Sequence, residues 1–172
     1  VSISVLVSGR NTVKASKECL DLIKHFEGTK LKPYLCPALL WTIGTGSVLY
    51  PEQAKLKMED RKSFPLKPQD NRQWSKEEVD KLLAEDVARF ERGVERLLPN
   101  ARLSQSEYDC LVSFSFNLGL GTFQRSTIRQ ALLRGDKKMA VESLLKYNKA
   151  GGKVLKGLDL RRKAEAALFM KE

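Results

Sequence analysis

The chain of 172 residues suits one compact domain that buries a core without a disulfide framework, and its 42% apolar and 30% charged residues exclude an intrinsically disordered protein. Three widely spaced cysteines and one histidine match no recognisable zinc pattern, and we expect no metal and no other cofactor. The formal charge of +10 favours binding to polyanions, a class that includes nucleic acid, anionic lipid and the bacterial cell wall.

The first seven residues form an apolar run that is interrupted by two serines. A membrane-spanning helix needs roughly 20 apolar residues, so we expect no stable membrane span in the chain. The run also lacks the basic start and the longer apolar core of a secretory signal. One interpretation is that it is the remnant of an N-terminal anchor, and the export route stays open.

The first helix is predicted over residues 16–27, where apolar side chains recur at three- and four-residue intervals with charged residues between them. Gly28 follows at the position where helices commonly end with a positive φ, which places Glu27 in the last turn. Two prolines and two glycines within residues 31–48 favour short strands and turns. Residues 50–73 contain three prolines and many charges without a periodic pattern, and we expect a mobile surface loop.

Capping boxes begin the next two predicted helices. Ser75 and Glu78 form the first box, and the helix behind it ends before Pro99. Ser104 and Glu107 form the second box, which precedes a nearly all-apolar segment that we expect to be the buried central helix.

Two further helices are expected to begin at Ser126 and Asp136, and Gly151 with Gly152 is expected to end the second of them. A last helix is predicted near residues 158–170. The elements together predict a single α+β domain over residues 1–172 that is mostly α. Its expected parts are a small mixed N-terminal lobe (about 16–50), an irregular insert (about 51–73) and a larger helical lobe (about 74–172).

Glu27 is the first candidate for chemistry. The negative end of the helix dipole disfavours ionisation of a carboxyl in the last turn, and the apolar neighbours Ile23 and Phe26 would add to this if the site is partly buried. Hydrolysis of a glycosidic bond needs such a proton donor, together with a second group that positions water or stabilises positive charge. Taken alone, a glutamate at the end of an amphipathic helix is more often a solvated surface charge.

Three separate segments resemble the phage-type lysozymes, the endolysins of glycoside hydrolase family 24. The segment HFEGTKLKPYLCPALLWTIGTG resembles the family's helix end, strand and turn, SFNLGLGTFQRST its central helix and following turn, and KGLDLRRKAEAALF its C-terminal helix. In the first segment, eight residues separate Glu27 from Cys36 and five separate Cys36 from Thr42. This is the catalytic spacing of the family, whose middle residue is Asp or, in some members, Cys.

The resemblance implies a lysozyme-like fold with a cleft between its two lobes, and hydrolysis of the β-1,4 bond between N-acetylmuramic acid and N-acetylglucosamine, which lyses the bacterial cell wall. Glu27 would be the general acid, Cys36 would replace the Asp that acts as base or electrostatic partner, and Thr42 would hold the attacking water. The substrate-binding residues that line or brace the cleft would be Phe116, Asn117, Ser126 and Arg161.

The partner implied by the resemblance is bacterial peptidoglycan. We expect a monomer that binds no specific nucleic acid, is made in the cytoplasm of the bacterial host and acts at the cell wall in the periplasm.

Cys36 has two interpretations. An unpaired cysteine is usually a buried apolar filler, but the family position and the neighbouring prolines favour a functional thiol in a turn. A positive neighbour, Lys32 or Arg161, would lower the pKa of this thiol. Oxidation of Cys36, or its pairing with Cys19, would then abolish activity, and the choice between retaining and inverting chemistry stays open.

Two departures from the family pattern stand out. Ser47 occupies a position where many relatives carry His, which predicts the loss of a supporting ion pair beneath the turn. The insert is longer than in the simplest members and falls where the cleft edge is expected.

Two other functions compete with hydrolysis. A basic helical protein that binds nucleic acid would explain the charge, although no known reader motif is present. A relative that binds the cell wall without catalysis would explain the Cys in place of Asp.

Overall fold

The computed structural model describes residues 4–7 and 14–171. As predicted, the fold is mostly helical with a small antiparallel sheet. In chain order the elements are β1 (Ser4–Val7), α1 (Lys17–Glu27), β2 (Lys30–Leu35), β3 (Trp41–Gly44), β4 (Ser47–Val48), a 3₁₀ helix (Pro51–Lys55), α2 (Met58–Arg61), α3 (Lys76–Leu97), β5 (Ala101–Ser104), α4 (Gln105–Leu118), α5 (Leu120–Gln124), α6 (Thr127–Leu133), α7 (Lys137–Leu145), β6 (Lys149–Ala150), β7 (Lys153–Val154) and α8 (Lys156–Phe169).

The chain divides into two compact units. The small unit is Ile23–Asp86, and the large unit combines Val1–Leu22 with Val87–Glu172. The division falls within α1 and within α3, so each of these helices contributes residues to both units.

The small unit contains the three-stranded sheet, in the order β2-β3-β4 with antiparallel neighbours. A register shift separates the pair Lys30 and Gly44 from the pair Tyr34 and Thr42. Gly44 has φ +67, and a Cβ atom there would lie 2.8 Å from the Cβ of Val79 at the start of α3. The close approach of strand and helix therefore requires glycine at this position.

The segment after the sheet is more regular than predicted. Residues 50–73 were expected to form an irregular loop, but they contain the 3₁₀ helix and α2. Helices of four or five residues are too short to show a periodic apolar pattern in the sequence. Gln53, which is fully buried, fixes the 3₁₀ helix through hydrogen bonds to residues outside it.

The large unit is built around α4, whose residues 107–115 are all buried and which packs on α8. The predicted capping box forms, since the Ser104 hydroxyl accepts from the Glu107 amide and the Glu107 carboxylate accepts from the Ser104 amide. β5 pairs with β1, so part of the N-terminal apolar run forms a strand, while residues 1–3 of that run lie outside the described residues. Among the described residues, no helix has both the length and the apolar character to cross a membrane.

Gly151 and Gly152 do not end a helix as predicted. α7 ends at Leu145, and the two glycines form the turn of the β6–β7 hairpin with φ values of 58° and 78°. Two consecutive residues with positive φ suit the tight turn of a two-residue hairpin. Strands of two residues carry no alternating pattern, so this hairpin had no sequence signal other than the glycine pair.

Candidate active site

A tight turn presents Cys36 at the end of β2. The Cys36 amide donates to the Leu40 carbonyl oxygen at 3.0 Å, and the Leu39 amide donates to the Cys36 carbonyl oxygen at 2.7 Å. The turn is a three-residue hairpin loop whose last residue, Leu39, is left-handed with φ 60. Pro37 occupies the second turn position, where its fixed φ is favoured. The thiol is half-buried, consistent with the functional interpretation of the sequence.

Hydrogen bonds hold the pKa of the Cys36 thiol below its usual value. Partial burial acts in the opposite direction, but the backbone of Leu40, the side chain of Thr42 and the backbone of Ala38 outweigh it by donating to the thiolate. The cause of the lowered pKa differs from the predicted one, in which a positive side chain stabilises the thiolate. The other two thiols are buried, and burial raises the pKa of both Cys19 and Cys110.

Thr42 lies beside Cys36 on the neighbouring strand. Its side chain is buried, and its position on β3 is opposite Tyr34 of β2 and Val48 of β4. The Thr42 hydroxyl donates to the Leu40 carbonyl oxygen at 2.9 Å, and it is also the side-chain donor to the Cys36 thiolate. A hydroxyl carries one proton, so it serves one of these acceptors at a time and can turn to the sulfur when the thiolate forms.

Glu27 is the last residue of α1, and Gly28 ends the helix with φ +77 as predicted. The Glu27 side chain is exposed, so the partial burial considered for it does not occur. Burial raises the pKa of Tyr34, and the negative charges of Cys36 and Glu27 raise it further. The structure therefore brings Glu27, Cys36 and Thr42 around Tyr34, a residue that sequence reasoning did not include in the site.

The residues predicted to bind substrate in the large unit fall into two pairs. Phe116 and Asn117 are half-buried near the end of α4, where Phe116 packs on Phe90 at 5.2 Å between ring centroids. Ser126 and Arg161 are buried. The Ser126 hydroxyl caps α6 by accepting from the Arg129 amide at 3.2 Å. Because both side chains are buried, they are better placed to support neighbouring helices than to contact a substrate.

A buried ionic cluster joins α4 to α8. Arg162 approaches Glu165 to 2.7 Å, and Arg161 approaches it to 3.3 Å. The Ser113 hydroxyl donates to the same carboxylate at 2.6 Å. Arg162 also donates to the Asn117 side-chain oxygen at 2.7 Å, which fixes the orientation of that amide. Both arginines are buried although they stand in a run of basic residues, because Glu165 lies on the same face of α8 and pairs with both.

Comparison with known sequences gives the family. Residues 24–165 match the family model described as phage lysozyme. The chain belongs to the phage lysozyme family. It is 38% identical over 160 residues to an endolysin of Bacillus phage B103, covering 90% of this chain and 53% of that protein.

Two other similarities cover nearly the whole of the related chain. An endolysin of Acyrthosiphon pisum secondary endosymbiont phage 1 is 34% identical over 158 residues, covering 90% of this chain and 96% of that protein. The muramidase domain of SpmX from Asticaccaulis excentricus superposes with a TM-score of 0.74 at 26% identity, covering 92% of this chain and 99% of that domain. The chain spans about half the length of the Bacillus phage relatives that it matches.

Ser47 stands where the resemblance predicts the loss of a supporting ion pair beneath the turn. Its side chain is buried, and the hydroxyl donates to a carboxylate oxygen of Asp86 at 2.6 Å. Thr29 and Thr45 join their hydroxyls at 3.0 Å nearby. Hydrogen bonds of side-chain hydroxyls therefore brace this part of the sheet in this chain.

Proposed function

We propose that the chain is a peptidoglycan hydrolase of the endolysin type, a muramidase that cleaves the β-1,4 bond between N-acetylmuramic acid and N-acetylglucosamine and thereby lyses bacteria. The observation that carries this proposal is the arrangement of Glu27, Cys36 and Thr42 around Tyr34 in a chain of the phage lysozyme family. The names of its relatives, endolysins and a muramidase domain, support the same activity.

Glu27 acts as the general acid in this proposal. Its carboxyl is exposed at a helix end, where a glycosidic oxygen can reach it, and it donates the proton that the leaving sugar needs. Phe116 and Asn117 contact the glycan, while Ser126 and Arg161 brace the helices that hold them.

Cys36 supplies the second group of the mechanism. As a thiolate it either removes a proton from the attacking water, which Thr42 helps to hold, or attacks the anomeric carbon itself. In the first course water adds as the leaving oxygen takes the Glu27 proton, and the configuration inverts. In the second, a carbon–sulfur bond forms and is then hydrolysed, and the configuration is retained. The anomer released by the enzyme distinguishes these courses.

The proposed partner is the anionic cell wall, which the charge of +10 attracts. In this proposal a monomer is made in the cytoplasm of a bacterial host and acts on the wall in the periplasm. Among the described residues, no cluster of three or more His, Cys, Asp or Glu side chains could hold a metal ion.

Digestion of purified peptidoglycan, run with and without reductant, tests the proposal. We expect the release of new reducing ends, stronger in the presence of reductant because the thiol of Cys36 must stay reduced. Wall binding without reducing ends would contradict the proposal in favour of a binding protein. Salt-sensitive binding to duplex DNA with no effect on walls would contradict it in favour of a nucleic-acid-binding protein.

A further inference from the structure

Gln53 lies outside the catalytic residues but contacts the turn that carries Cys36. It is fully buried in the 3₁₀ helix, and all of its side-chain polar groups are used. Its carbonyl oxygen accepts from the Trp41 amide at 2.9 Å, and its amide nitrogen donates to the carbonyl oxygens of Leu39 and Arg61, each at 3.0 Å.

These hydrogen bonds act on the two peptide groups beside the thiol. The carbonyl of Leu39 and the amide of Leu40 belong to one planar trans peptide group, in which they point in opposite directions. A donor that fixes the Leu39 carbonyl therefore also fixes the direction of the Leu40 amide, one of the groups that lower the pKa of the Cys36 thiol. The next peptide group carries the Leu40 carbonyl, the acceptor of Thr42, and the Trp41 amide, which Gln53 also holds.

Arg61 holds the turn from the other end of the same segment. Its guanidinium donates to the carbonyl oxygens of Ala38 at 3.0 Å, Ala54 at 2.9 Å and Leu56 at 3.1 Å. The Ala38 carbonyl precedes Leu39, whose left-handed backbone is unfavourable for a residue with a side chain. Such a conformation persists only where the surroundings hold it.

We propose that Gln53 and Arg61 are positioning residues that orient the backbone donors of the Cys36 turn toward the sulfur. The expected effect on catalysis rests on the proposed function. The expected effect on the ionisation of the Cys36 thiol does not, because it follows from the geometry of the turn alone. In this proposal residues 50–73 support the Cys36 turn through these two side chains.

The test is the pH profile of Cys36 alkylation by iodoacetamide, followed by mass spectrometry of the labelled peptide. The midpoint of this profile reports the thiolate equilibrium, whereas its plateau reports access to the sulfur. Tyr34, on which the charges of Cys36 and Glu27 both act, and Glu27 itself stay unchanged in every variant.

In Gln53→Met, which keeps the length of the side chain and removes its hydrogen bonds, we expect the midpoint to rise by about one pH unit, the size of a lost charge-assisted hydrogen bond. Turnover of soluble glycan fragments should fall about tenfold with KM unchanged. Arg61→Lys keeps the positive charge and loses the planar fork, and we expect a smaller rise in the same direction. Lys62→Ala, an exposed neighbour, should match the wild-type protein.

An unchanged midpoint in folded Gln53→Met and Arg61→Lys would overturn the inference. If Gln53→Met does not fold, Arg61→Lys decides, because its guanidinium lies near the surface. A raised midpoint in a protein whose wild-type form releases no reducing ends would support the inference and contradict the proposed function, so the two failures are distinguishable.

Discussion

The small unit and the large unit each contain a group of polar side chains joined by short hydrogen bonds, but the surroundings of the two groups differ. Around Cys36, backbone and hydroxyl donors lower the pKa of a half-buried thiol, and Glu27, whose charge acts on the neighbouring Tyr34, is exposed. Around Glu165, two arginines and a serine surround a carboxylate that is fully buried. Glu27 and Cys36, for which we propose catalytic roles, are exposed and half-buried, whereas the groups that hold α4 and α8 together are sealed from water.

Breaking the buried cluster is expected to have the largest effect. Arg162→Met removes a guanidinium that is fully buried against Glu165 and leaves that carboxylate undercompensated. Removal of one partner of a buried pair costs about 3–5 kcal/mol of the free energy of unfolding. Chemical denaturation measures the loss, with Lys163→Met, a neighbour whose side chain is exposed, as the matched control. Equal stability of the two variants would contradict a structural role for the cluster.

Removal of Glu27, the proposed proton donor, is expected to have the next largest effect, on activity rather than stability. Glu27→Gln keeps the size of the side chain but cannot donate the acid proton, and clearing of permeabilised cells should fall at least a hundredfold, roughly the lower range for loss of a general acid. Glu59→Gln, an exposed residue of α2, should clear cells at the wild-type rate. Near-normal clearing by Glu27→Gln would remove this residue from the mechanism.

The three cysteines should differ in reactivity. Cys36 has a lowered pKa and is half-buried, whereas burial raises the pKa of Cys19 and Cys110. Each unit of pKa changes the thiolate fraction about tenfold, so we expect iodoacetamide at neutral pH to label Cys36 more than tenfold faster than the other two. Mass spectrometry of the peptides measures the three rates, and labelling of Cys19 first would contradict the assignment.

The smallest expected effect is that of Ser126→Ala, which tests whether Ser126 supports a helix or contacts the substrate. Ser126→Ala removes the cap of α6 and should cost about 1 kcal/mol of stability with KM for glycan fragments unchanged. Denaturation and steady-state kinetics measure the two quantities. A raised KM in a protein of wild-type stability would instead make Ser126 a substrate contact.

Local signals predicted much of the fold. The glycine after Glu27, the two capping boxes and the serine cap of α6 act within three or four residues, so the sequence alone places these helix ends. The catalytic roles that the spacing from Glu27 to Thr42 predicted stay a prediction. The structure adds that the charges of Glu27 and Cys36 act on Tyr34, which pairs with Thr42 across the sheet.

The remaining features depend on contacts between distant residues. Gln53 bonds to the backbone of Leu39 and Trp41, 14 and 12 residues away, and nothing in its local sequence marks it as buried. The burial of Arg161 and Arg162 depends on the packing of α8 on α4, which a run of charged residues conceals. The exposure of Glu27 also depends on how the chain folds around the end of α1, so the sequence alone did not predict it.

The most direct test of the central claim is the chemical identity of the sugar at the new reducing ends. Purified peptidoglycan is digested, the products are reduced with borohydride and their masses are determined, with Glu27→Gln as the inactive comparison. A muramidase leaves N-acetylmuramic acid at the reducing end, and this is the result that we predict. Reduced N-acetylglucosamine, or products with no new reducing end, would contradict the account.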